Sequence, residues 1–261
     1  MRSFGAIAAG LAVGLACGGG GGGSAERVDT GEQPAVPAAA AEASAIQGGA
    51  TVTGRVKFTG AKPSNPKIDM TEEPECKKKY TAAPTLETVV VNANGTLANV
   101  FVYVKSGLPG SAKYTAPATP VVLDQQGCRY HPHAMGIMVG QSLEIKNSDP
   151  LLHNIKAKAV KNRGFNISQP RAGMTTTRTF GAPETMVLLE CNVHGWMSAS
   201  LGVLPHPFYS TTGSDGTFSL KGLPPGTYTI EAWHEKYGTQ TATVTVGGTE
   251  TKTADFTFAA K

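Results

Sequence analysis

Charge is scarce in this sequence. Asp, Glu, Lys and Arg make up only 16% of its 261 residues, and the formal balance is +4. A surplus so small and so dispersed builds no continuous basic face, which argues against a nucleic-acid partner. Sustained helical periodicity is missing as well, which excludes a helical bundle. The apolar run Ala6 to Ala16 is shorter than the ~20 residues that a bilayer span needs. No nucleophile stands beside a base and no carboxylates are paired at a telling spacing, so chemistry on a bound substrate is not expected. Turn chemistry is abundant instead. With 32 glycines and 17 prolines against little charge, the composition predicts short strands joined by tight turns, an all-β fold.

Arg2 and the small apolar residues after it read as a secretion signal over residues 1–16. Ala16-Cys17, followed by the glycines Gly18 to Gly23, resembles the lipobox of bacterial lipoproteins. That resemblance implies lipidation of Cys17 and anchoring to a membrane of the cell envelope, periplasmic or extracytoplasmic. Residues 17–49 are rich in glycine and alanine and contain no aromatic residue, so they cannot bury enough apolar surface to offset the entropy of ordering. A disordered N-terminal tether is expected there.

From Ala50 onward, apolar residues alternate with polar ones. Val52, Val56 and Phe58 share one face, as do Leu143 and Ile145, Phe218 and Leu220, Tyr228 and Ile230, Val244 and Val246, and Phe256 and Phe258. Val100 to Val104 is apolar on both faces, as in a central sandwich strand. Turn signals such as Asn94-Gly95, Asp215-Gly216 and Pro224-Pro225-Gly226 separate the runs.

The most informative stretch is Cys191-Asn192-Val193-His194-Gly195-Trp196-Met197, which begins where the strand Val187 to Glu190 ends. Thiolate, imidazole and thioether together suit copper, because soft sulfur favours Cu(I) while nitrogen accommodates Cu(II). A trigonal set of two His and one Cys with a weak axial Met needs a second histidine. His153 is the best placed, just beyond the alternating strand Gln141 to Lys146. Each residue alone has a plainer reading: Met197 and Trp196 as core, His153 as a turn histidine, Cys191 as half of a disulfide. Together they favour a metal. His131 and His133 lie two apart on one strand face, but Pro132 between them and the lack of a companion carboxylate favour a structural role. Lys77 to Lys79 reads as a solvated turn.

An early His followed by Asn, with a late Cys, His and Met on one loop, resembles the type 1 copper site of the cupredoxins. The short gap between His194 and Met197 is similar to that of amicyanin. The resemblance implies a cupredoxin-like Greek-key β-sandwich over residues 126–205. Its one copper ion would have His153, Cys191 and His194 as equatorial ligands, Met197 as the axial one, and Asn154 steadying the cysteine loop. An exposed His194 edge, with Gly195 and Trp196 around it, would then meet a redox partner such as a cytochrome or a membrane oxidoreductase.

If Cys17 carries lipid and Cys191 binds copper, Cys76 and Cys128 remain as an even pair, and a disulfide between them is expected. The competing pairing, Cys128 with Cys191, would abolish the copper site. Residues 206–261, with Gly213-Ser214-Asp215-Gly216-Thr217-Phe218 and Pro224-Pro225-Gly226-Thr227-Tyr228, resemble the carboxypeptidase regulatory-like module, a small transthyretin-like β-sandwich. Gly54 to Phe58 resembles that module's first strand. Residues 50–125 could therefore pair with the C-terminal module, leaving the copper domain as an insertion, or Glu87 to Lys105 could supply early cupredoxin strands. The function expected from all this is electron transfer, not catalysis. Two alternatives are a non-redox copper sequestration or delivery protein, and a metal-free structural or surface-binding β protein.

Overall fold

The computed structural model describes residues 48–260. The expected signal segment, the Cys17 lipid site and nearly all of the tether lie outside the described residues. The described residues are all-β apart from a single helical turn. In order, the chain runs through β1 (Ala50–Thr59), α1 (Pro74–Lys77), β2 (Phe101–Ser106), β3 (Val121–Gln126), β4 (Arg129–His131), β5 (Ala134–Met138), β6 (Leu143–Asn147), β7 (His153–Lys158) and β8 (Phe165–Gln169). It continues through β9 (Thr175–Arg178), β10 (Glu184–Glu190), β11 (Ser198–Leu204), β12 (Tyr209–Thr211), β13 (Thr217–Leu223), β14 (Gly226–His234), β15 (Gly238–Val246), β16 (Thr251–Thr253) and β17 (Phe256–Ala259). No helix among the described residues is long and apolar enough to cross a membrane.

Four sheets form two sandwiches. One sandwich faces the sheet β5-β11-β10-β7-β8 against the sheet β4-β3-β6-β9. Its core is built from the inward residues of alternating strands, including Leu123, Ile145, Ile155, Leu189 and Leu201, all fully buried. The other sandwich combines β13-β1-β16, with β17 also on β1, and β12-β2-β14-β15. Val52, Val102, Leu220 and Ile230 lie at its centre.

The segment 50–125 thus divides between the two sandwiches. β1 and β2 join the C-terminal strands, through β1 pairing with β13, β16 and β17, and β2 with β12 and β14. Glu87 to Lys105 supplies no strand to the first sandwich; Val102 and Val104 register instead on Ala232 and Ile230. β3 lies parallel to β6, so the other sandwich begins at residue 121, ahead of the boundary drawn at 126. It also takes Ile68, Met70 and Cys76 into its core from the irregular chain between β1 and β2.

A pair of glycines joins the sandwiches. Gly136 on β5 sits opposite Gly202 on β11, and together they leave a bare patch on the sheet face. The rings of Phe101 and Tyr209, from β2 and β12, pack into it. A Cβ at Gly136 would stand 2.4 Å from the Tyr209 ring, and one at Gly202 would stand 2.5 Å from the Phe101 ring. Across the same contact His133 Nε2 meets Glu235 Oε1 at 3.0 Å.

Candidate metal centre

β7 and β10 are antiparallel neighbours, with Lys156 opposite Glu190. That register sets the start of β7, where His153 lies, beside the end of β10, where Cys191 follows. The loop delivering His153 is shaped by Asn147. Its Oδ1 accepts the Asp149 N–H at 3.0 Å, and its Nδ2 donates to Leu151 O at 2.9 Å and Gln169 O at 2.8 Å, an Asx-type turn buried under the sheet. The second loop closes on itself. Met197 N donates to His194 O at 2.9 Å, Cys191 N donates to Met197 O at 3.1 Å, and His194 N points at Cys191 Sγ at 3.4 Å.

The two loops bring three donor atoms to one point. His153 Nδ1 lies 3.1 Å from His194 Nδ1, which lies 3.8 Å from Cys191 Sγ, and all three donors fall within 4.8 Å of one another. Two donors on one ion can be separated by at most the sum of their bonds, about 4.1–4.6 Å for nitrogen and sulfur ligands, so the two measured separations fit a single ion. Met197 is buried on the same loop and packs in the core beside Cys191. Asn154 bridges the loops: its Oδ1 accepts Asn192 N–H at 3.1 Å, while its Nδ2 donates to Asn166 Oδ1 at 2.7 Å and Ile167 O at 2.9 Å.

The electrostatics favour the thiolate. Burial pushes the Cys191 thiol up, but hydrogen bonds from His153 and from the His194 ring and backbone outweigh it and bring the pKa down to about 5. Burial pulls His153 down, yet Asp149 and Cys191 together raise it above its ordinary value. Tyr130 is buried beside Cys191, hydrogen-bonds to Asn154 O, and has its hydroxyl pushed well above the ordinary range by burial.

Asp149 is the functional residue that sequence reasoning missed. Its Oδ2 lies 2.9 Å from His153 Nε2 and orients that ring so that Nδ1 faces the cysteine loop. The same carboxylate accepts Gly127 N at 3.0 Å and Cys128 N at 2.7 Å, and it pairs with Lys79 at 2.9 Å. Burial alone would raise its pKa; these donors outweigh burial and hold it well below the usual carboxylate range. Gly127 and Cys128, with φ of 62° and 54°, form the two-residue turn between β3 and β4, the left-handed pairing that a tight hairpin requires. The available signal was the offset of four residues from Asp149 to His153. Lys79, read as part of a solvated turn, instead reaches a buried carboxylate.

The expected exposed edge of His194 is corrected. His194 is only 2% exposed, because the irregular segment ahead of β2 folds over it. Cys76 Sγ lies 3.6 Å from His194 Nε2, and Glu73 Oε2 lies 3.6 Å from the same nitrogen. The segment is pinned there by a disulfide between Cys76 and Cys128, while Cys191 is free. Trp196 is half-buried and donates through Nε1 to Cys128 O at 2.9 Å. The large apolar side chains left exposed next to the donors are Leu152, at 43%, and Val193, at 41%. His206 and His234 serve the other sandwich, the first through Nε2 to Val104 O at 2.9 Å and the second by accepting Lys236 N–H at 3.1 Å.

Residues 202–259 match the carboxypeptidase regulatory-like domain family, and β1 and β2 extend that module beyond the matched stretch. No curated protein matches the chain. Among solved structures, the chain is similar to a Cu-containing nitrite reductase from Thermus scotoductus, with 22% identity and a TM-score of 0.29 over 38% of this chain and 25% of that one. The matched region therefore spans a quarter of the reductase's length. It is also similar to a purple cupredoxin from Nitrosopumilus maritimus, with 20% identity and a TM-score of 0.28 over 32% of this chain and 98% of that one. A Cu(I) form of a mutant amicyanin has 18% identity and a TM-score of 0.29, over 39% of this chain and 97% of that one.

Proposed function

We propose that this chain is a type 1 copper-binding electron-transfer protein, lipid-anchored through Cys17 at the cell envelope. The observation that carries the reading is the convergence of His153 Nδ1, His194 Nδ1 and the Cys191 sulfur in one buried pocket. His153, Cys191, His194 and Met197 would hold the ion, which would supply a one-electron couple. The protein's own part is preorganisation. Asp149 orients His153, Asn154 ties the two loops together, and the hydrogen bonds on Cys191 keep the sulfur ionised. Donors buried on two hydrogen-bonded loops need little rearrangement when the charge changes. The same enclosure disfavours the delivery alternative, which calls for a labile, accessible site. A redox partner, a cytochrome or membrane oxidoreductase, would then dock over Leu152 and Val193, since the His194 edge is covered.

The test is visible absorption and electron spin resonance on the full chain given one equivalent of Cu(II), beside Cys191→Ser. An intense thiolate-to-copper band with a small hyperfine splitting, absent from the variant, is expected. A colourless protein, or a signal that survives the substitution, would overturn the assignment.

A further inference from the structure

The His194 ring faces two clusters. Nδ1 turns toward His153 and Cys191, whereas Nε2, across the ring, turns toward Cys76 at 3.6 Å. Cys76 and Cys128 bring their sulfurs, with a ring nitrogen of His194, within 4.8 Å of one another, and all three residues are buried. Two sulfurs and one imidazole nitrogen are the donor types of a thiophilic metal site. The Cys76 to His194 dimension agrees, while the two sulfurs, bonded to each other in this structure, must part on reduction. Tetrahedral zinc, with bonds of about 2.3 Å to sulfur and about 2.0–2.1 Å to nitrogen, separates those two ligand atoms by about 3.6 Å, the Cys76 to His194 spacing. The Cα atoms of the two cysteines are 5.7 Å apart, so both side chains reach one centre without moving the backbone. Glu73 Oε2 lies 3.6 Å from His194 Nε2.

We propose that Cys76 and Cys128, when reduced, form with His194 Nε2 a second metal site for a soft ion of the zinc(II) or copper(I) class. The disulfide and the metal-bound dithiolate are then alternative states of one cysteine pair. Conversion to the second begins with a dithiol reductant, which gives up two electrons and two protons and itself becomes a disulfide. The S–S bond breaks to two thiols, whose protons leave as the metal bonds form, together with the Nε2 proton when His194 Nδ1 already holds an ion. The sharing of the His194 ring between two ions rests on the copper reading; the dithiol site does not.

The test uses the full chain, refolded without oxygen in a phosphine reductant and titrated with Cd(II) as the thiolate probe, beside the oxidised chain. The reduced chain is expected to bind one equivalent more than the oxidised chain, with added sulfur-to-cadmium absorption. Cys76→Ser and Cys128→Ser lose that extra equivalent, whereas Cys191→Ser keeps it while losing the first. Because serine variants can misfold, alkylation of the reduced wild type is counted by mass in parallel, and bound Cd(II) is expected to shield Cys76 and Cys128. Equal uptake by the two redox forms overturns the proposal, as does an extra ion that survives Cys76→Ser, unshielded cysteines, or a reduced chain that stays unfolded with Cd(II) present. The copper reading is tested separately, by the colour of the oxidised chain.

Discussion

Replacing Asp149 with Asn is the most demanding test of how this centre is held. The carboxylate serves four donors: Gly127 N–H, Cys128 N–H, the Lys79 ammonium and His153 Nε2. An amide keeps one oxygen and sets an NH₂ group where the other was, so about two of the donors lose their acceptor. Each buried donor left unmatched costs about 1–3 kcal/mol, so Asp149→Asn should destabilise the sandwich by roughly 2–6 kcal/mol. The effect on metal binding is separate. With its orienting carboxylate gone, His153 no longer has Nε2 held, and loss of such an outer partner weakens metal affinity by about 10–100-fold. Denaturant unfolding followed by Trp196 fluorescence reads the first effect, and copper competition against a chromophoric chelator reads the second. Wild-type affinity in a folded Asp149→Asn protein would refute the orienting role. A stability change below about 0.5 kcal/mol, the range of ordinary surface substitutions, would refute the account of Asp149 as a buried acceptor.

Two further outcomes follow from the contact between the sandwiches. Gly202→Ala drives a methyl to within 2.5 Å of the Phe101 ring and should cost about 1–3 kcal/mol by overpacking, whereas Gly181→Ala, with no atom within 4 Å, should not; equal unfolding midpoints would sink the bare-patch account. Burial pulls His133 down, but Glu235, Glu87 and the Ser198 carbonyl outweigh it and raise its pKa above 6.5. Its stabilising charge is therefore fully present below pH 6.5 and is lost as pH rises through the folded value. Wild-type stability should fall over that window relative to His133→Gln, and parallel pH curves for the two proteins would refute this.

Period-two alternation placed β1, β6, β13, β14, β15 and β17, because a strand with one buried face must carry its apolar residues at every second position whatever it later pairs with. Leu143 with Ile145 and Tyr228 with Ile230 are legible for that reason. Val100 to Val104 announced a central strand but not which sheet it would centre, since two-sided burial carries no label for the partner. The Cys191 to Met197 loop was the most legible part of the candidate centre, its Cys, His and Met being only three apart along the chain.

What the sequence by itself determined is therefore local: the all-β class, the turns, the loop carrying Cys191, His194 and Met197, and an even pair of cysteines left over. Tertiary structure alone decided what surrounds that loop. It brought Asp149 under His153 and the β3–β4 turn at once, set the Cys76–Cys128 bond against the far side of the His194 ring, and folded the segment before β2 over an imidazole that motif spacing would leave in solvent. The reason is that these contacts, Asp149 to His153 apart, join residues far apart in sequence, several of them through irregular chain. Such chain has no periodicity to read, and its position is set by the apolar surface it covers: Ile68 and Met70 enter the core of the sandwich and carry Glu73 and Cys76 onto His194 with them.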